Sequence, residues 1–164
     1  MPDPSPEDFK KVAMNFTLKW NFNNCVGALG GKHVFIKPSP KSGGDFFNYK
    51  GRFSNVLLAM VDVEMKFLCM DVGPKGRFSN GRIFSSSFIG SRFKDSIFWP
   101  EDQPIHEGII PMPFVAVDCC PLLKHLMRPY PGKQANIDRK KRVYNYRLSR
   151  ARKVVESAFG ILAT

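Results

Sequence analysis

An α/β fold, with a mixed sheet flanked by helices, is predicted by three features of the sequence. Residues 54–62 (SNVLLAMVD) and 67–72 (FLCMDV) are apolar runs on either side of a turn at Glu64 to Lys66, the pattern of an antiparallel hairpin. Residues 114–117 (FVAV) form an apolar run too short for anything but a buried strand. Near the end of the chain, Tyr144, Leu148, Ala151, Val155, Ala158 and Leu162 recur at alternating steps of four and three, one apolar stripe along an α-helix.

The remaining elements follow in order. The start carries three prolines in its first six residues and reads as a lead-in, with a short helix completing an N-terminal stretch of residues 1–19. Residues 24–29 (NCVGAL) and 33–36 (HVFI) read as short strand pieces broken by Gly30-Gly31, and residues 38–45 (PSPKSGGD) as a loop. Gly73-Pro74-Lys75-Gly76 is expected to end the hairpin's second strand. Asn80 is placed to N-cap a helix running to about Arg92. Residues 100–113, with four prolines, read as loop, and residues 122–127 as a brief helix ended by Pro129-Tyr130-Pro131-Gly132. The chain stops at Thr164 without a capping residue, so the last helix is expected to be cut in mid-element and residues 20–164 to form a domain incomplete at its C-terminus.

Bulk properties narrow the function. The 164 residues are 43% hydrophobic, enough for one core, and no apolar run approaches the roughly 18 residues of a membrane span. The N-terminus lacks the basic-then-apolar layout of a signal peptide, so a soluble intracellular protein is expected. A formal charge of +11 points to a polyanionic partner, nucleic acid before membrane, against the plainer reading of a basic protein that is merely soluble. Cys119 and Cys120 are adjacent, not spaced as zinc ligands, and Cys25, Cys69, His33, His106 and His125 are scattered. Reduced thiols and no Cys/His metal site are expected.

Five ordered motifs carry a resemblance: GKH at 31–33, FNYKG at 47–51, PKGRFSNG at 74–81, MRPYPG at 127–132 and RKVVESAFG at 152–160. Over residues 20–163 the chain resembles the PIF/Harbinger transposases and their nuclease-like relatives. That resemblance implies a ribonuclease-H-like fold, residence in the nucleus, DNA as partner and cleavage of DNA strands by two divalent ions, Mg²⁺ or Mn²⁺. The family's separate DNA-binding segment, or a partner protein that supplies it, is not found in these residues. Two-metal chemistry must stabilise both the attacking and the leaving oxygen, so three acids from different elements have to converge.

Carried over residue by residue, the resemblance puts Gly30 where the first acid belongs, in Gly27-Ala28-Leu29-Gly30-Gly31-Lys32-His33. Val117 stands at the second acid, with Asp118 one place on as a displaced substitute. Glu156 matches the third. A one-place shift on a strand turns a side chain to the other face unless the strand bulges, which weighs against Asp118. Taken alone, Glu156 also reads as an ordinary surface glutamate paired with Arg152, and His33 as a strand histidine against the core. Asp62 reads as a turn residue and Asp71 as part of the returning strand. The run from Arg139 to Lys153 holds eight cations and no acid: Arg139, Lys140, Lys141, Arg142, Arg147, Arg150, Arg152 and Lys153. It is either a solvated face or a phosphate-contacting helix. With two of the three acids replaced, an inactive relative of the family's endonucleases is expected, and three readings stay open: a nuclease using displaced acids, a binding module without catalysis, and a remnant with no selected role.

Overall fold

The computed structural model describes residues 3–37, 44–75, 80–93, 99–102, 114–116 and 122–163. Helix α1 (Pro6–Trp20) starts at the third of the opening prolines. Ser5 is its N-cap: the Ser5 hydroxyl accepts from the Asp8 backbone N–H, and the Asp8 carboxylate accepts from the Ser5 N–H. Pro6 occupies the first helical position, where its missing N–H costs nothing. Phe9, Val12 and Phe16 bury one side of the helix.

Strand β1 (Cys25–Phe35) runs without a break through Gly30-Gly31, contrary to the two pieces expected. Its ladder to β2 (Ser54–Val61) is continuous from Ala28↔Val61 to Phe35↔Ser54, so paired backbone compensates for the weak strand preference of glycine. The hairpin that follows β2 is closed by Asp62, whose Oδ1 accepts from the backbone N–H groups of Glu64 (2.8 Å) and Lys66 (2.9 Å). Strand β3 (Phe67–Lys75) outlasts the stop expected at Gly73-Pro74. It is an edge strand of the sheet, where a proline need not interrupt a ladder.

The helix expected from Asn80 to Arg92 is two helices, α2 (Asn80–Ser86) and α3 (Phe88–Arg92). Asn80 belongs to α2 itself, and Ser87 breaks the run by capping α3 through Gly90 N–H. Only glycine fits at 90: an added Cβ would sit 1.9 Å from the Phe84 carbonyl oxygen. Strand β4 (Phe114–Ala116) lies parallel to β1, as Ala28↔Ala116 records. The helix expected at 122–127 is absent; Leu126–Met127 form strand β5, parallel to β4. Leu126 is fully buried once its backbone joins the sheet.

Helix α4 (Gly132–Ile137) leads into α5 (Arg139–Leu162). The sheet order is β3-β2-β1-β4-β5, three antiparallel strands extended by two parallel ones. Helix α5, with Val12 and Phe16 of α1, covers the face bearing Ala28, Leu57, Ala59 and Val61. Phe84 of α2, Ile89 of α3 and Phe9 cover the face bearing Leu29, Leu58 and Met60. Among the described residues no helix is long and apolar enough to cross a membrane.

Candidate functional site

Successive residues on a strand face opposite sides, and that alternation organises the site. Ala28 lies in the core under α5, and Leu29 lies in the opposite core. Gly30 follows Ala28: a Cβ added to it would meet the two methyls of Val155 at 2.9 and 3.2 Å and the Phe159 ring at 3.5 Å. Lys32 continues the same row and donates its Nζ–H to the Phe159 carbonyl at 2.8 Å. The last carbonyls of a helix lack intrahelical partners and carry the negative end of its dipole, which favours an ammonium there.

Gly30 and the turn of α5 bearing Glu156 are therefore brought together. The residue that meets Gly30, however, is Val155. Glu156 lies one position on, more than half exposed, with its carboxylate 2.8 Å from the Arg152 guanidinium. Val117 and Asp118, with Cys119 and Cys120, lie outside the described residues. The strand leading into them, β4, pairs with β1 at Ala28, two residues before Gly30.

The side chains described here do not fit a divalent ion. Gly30 offers no ligand, Glu156 is engaged by Arg152, and Lys32 adds a second cation to the same side of the sheet. Among the described residues there is no group of three or more His, Cys, Asp or Glu side chains that could hold a metal.

Asp71 and the described histidines point elsewhere. Asp71 pairs with Leu58 and so faces away from Gly30; its Oδ2 accepts from Phe88 N–H at 2.6 Å, at the start of α3. His33 is on that same opposite face, with Nδ1 2.9 Å from Ser54 Oγ and the Tyr49 ring edge-on. Burial, and then Lys50, holds its imidazole below its usual value. His125 stacks on Trp99. Cys25 and Cys69 are buried thiols, and burial pushes Cys69 up to about 12.

Helix α5 sorts the eight cations. Arg139, Arg142, Arg150 and Lys153 follow Tyr146 at steps of three and four, so they share one outward stripe, and all five are exposed. Lys140 is also exposed, and Arg147 partly so, away from that stripe. Lys141 lies over the Tyr130 ring, and Arg152 is turned to Glu156. Sequence reasoning missed the part played by Lys32. Its even spacing from Gly30 on a strand was the signal that could have found it.

With this geometry in hand, comparison with known proteins gives the class. The family described as DDE superfamily endonuclease matches residues 29–164, most of the chain, and the chain belongs to that family. Its relatives include a protein named "Protein ALP1-like" from Arabidopsis thaliana, 26% identical over 164 residues, which bears out the PIF/Harbinger, transposase-derived resemblance of the motifs. That alignment covers 96% of this chain but 39% of the relative, so the chain spans about two fifths of its relative's length. No solved structure matches the chain.

Proposed function

We propose that this transposase-derived DDE domain contacts DNA through α5 and does not itself cut it. The observation that carries the reading is the close packing at position 30, where the resemblance places the first acid: Gly30 lies against Val155, and Lys32 is tied to the Phe159 carbonyl. A site for two divalent ions needs convergent carboxylates. This face instead carries Lys32 and an Arg152–Glu156 pair. The sheet order, with β1 antiparallel to β2 and parallel to β4, supports a ribonuclease-H-like ancestry.

The binding half of the proposal rests on the outward stripe of Arg139, Arg142, Arg150 and Lys153. Contacts to phosphates fix position but carry no base sequence. Target choice therefore falls to a separate DNA-binding protein, and the nucleus is the compartment in which the chain acts.

Calorimetric titration with Mn²⁺ and nicking of supercoiled plasmid test the catalytic half. No stoichiometric site and no nicking are expected. A Mn²⁺ site that disappears in Glu156→Gln would overturn this reading, and one that also needs Asp118 would restore the nuclease with displaced acids.

A further inference from the structure

Where the outward stripe reaches Tyr146, Arg150 and Lys153, the C-terminal end of α1, the β2–β3 turn and α5 enclose an open groove of about 590 Å³. Lys19, Arg150 and Lys153 bring three cations to it, and no carboxylate is among its lining residues. Glu64, in the same β2–β3 turn, is engaged by Lys66 at 2.7 Å. Two aromatic rings join the cations. The Arg150 guanidinium lies 4.4 Å from the centre of the Trp20 ring and 5.6 Å from that of Tyr146. Tyr146 is 60% exposed, so its ring presents area to an incoming group. Trp20 Nε1 is buried with no hydrogen-bond partner among the described residues.

We propose that this groove takes an unpaired nucleotide of single-stranded DNA, with its base on Tyr146 and its phosphates among Lys19, Arg150 and Lys153. The inference rests on the reading of α5 as a DNA-contacting helix and extends it from duplex backbone to a displaced strand. Charge complementarity selects an anion. Exposed aromatic surface next to the cations selects a planar group joined to that anion, because base–aromatic stacking tolerates any base while the cations follow the backbone. The volume exceeds that of a single base, and the apolar lining, which includes Met65, suits a ring better than a hydrated ion alone.

The chain has two tryptophans, Trp20 and Trp99, and hence two indole N–H signals in a nitrogen–proton NMR spectrum. Trp20→Phe identifies the first. Titration of the unaltered chain with a short oligothymidylate at low salt should shift the Trp20 signal and leave Trp99 unchanged. Free thymidine monophosphate should shift it only at much higher concentration, which separates a strand from a loose nucleotide. Tyr146→Ala should weaken oligothymidylate binding roughly tenfold, within the range of one base–aromatic stack, and duplex binding less than about twofold.

An unmoved Trp20 signal, while duplex binding persists, overturns the groove and leaves the α5 reading standing. Equal weakening of single strand and duplex by Tyr146→Ala does the same. Polyglutamate shifting Trp20 as strongly as the oligonucleotide would make the occupant an acidic peptide and overturn the proposal. If neither form of DNA binds at low salt, the groove and the α5 reading fail together.

Discussion

Gly30 is close-packed where a ligand acid would need room. An added methyl would press on the Val155 methyls at 2.9 and 3.2 Å, and Val155, branched at Cβ, has little rotamer freedom in a helix. Overpacking of this kind costs about 1–3 kcal/mol, so Gly30→Ala should lower stability by that amount in urea denaturation. The same change in a Val155→Ala background should cost less than half as much, since the two residues touch. Additive costs would mean that the contact does not limit position 30. It follows that Gly30→Asp alone would strain the core before it served any ion. His33 gives a second expectation. Its imidazole is held below 6.5, first by burial and then by Lys50, so the unfolded chain takes up the proton more readily than the fold does. Its contribution to stability is complete above that value and declines as pH falls from 6.5 toward the lower value in the fold. Urea midpoints measured at about pH 7.5 and pH 5 should differ less in His33→Gln than in the unaltered chain. An unchanged pH response would take His33 out of the account.

Helix α5 opens on four consecutive cations, Arg139 to Arg142, at the end of a helix whose dipole disfavours positive charge. Asp138 is what makes that start tolerable. Its carboxylate accepts from Lys140 N–H at 2.8 Å and more weakly from Lys141 N–H at 3.5 Å, and it sets a negative charge among the cations. Asp138→Ala should therefore destabilise the chain by roughly 1–2 kcal/mol, at the upper end for a lost N-cap, and Asp138→Asn by less. Equal losses would leave hydrogen bonding as the whole effect and charge as none. The same helix indicates how far the sequence could be read. Its stripe from Tyr144 to Ala158 was legible, because helical period and burial coincide over most of its length. Leu162 continues the period yet is 57% exposed, while Val154 and Phe159, off the stripe, are buried, since the packed face is wider than one column of residues. The unbroken β1 and the short β5 were not legible, because each depends on pairing with another strand, which no pattern within the segment itself shows. The candidate site divides the same way. The meeting of Gly30 with the Glu156 turn came from the motifs, whereas the bond from Lys32 to Phe159 joins residues 127 positions apart: even spacing from Gly30 gives the face that Lys32 takes but not its partner.

At the scale of the molecule, a net charge of +11 ensures attraction to any polyanion, so attraction alone decides little. Distribution decides more. Of the eight cations between Arg139 and Lys153, Arg139, Arg142, Arg150 and Lys153 lie on one outward stripe of α5, Lys141 is stacked over Tyr130, and Arg152 is paired with Glu156. Each phosphate neutralised on duplex DNA releases close to one counterion, so four contacts give a log–log salt slope of about −3 to −4. That is shallower than a helix using most of its eight charges would give. Arg142→Ala should reduce the slope by about one and weaken binding by a similar factor on unrelated sequences, as expected of a phosphate contact. Lys141→Ala removes the same charge from the same turn but off the stripe, and should change the slope little. Both variants keep the fold's core, because neither side chain is buried. Fluorescence anisotropy with two unrelated duplexes across a salt series measures all of this. Equal effects of the two substitutions would mean that net charge, and not the stripe, holds the DNA. A loss confined to one duplex would mean that Arg142 reads bases. A drop of one in slope for Arg142→Ala alone would identify the outward stripe of α5 as the surface that follows the backbone.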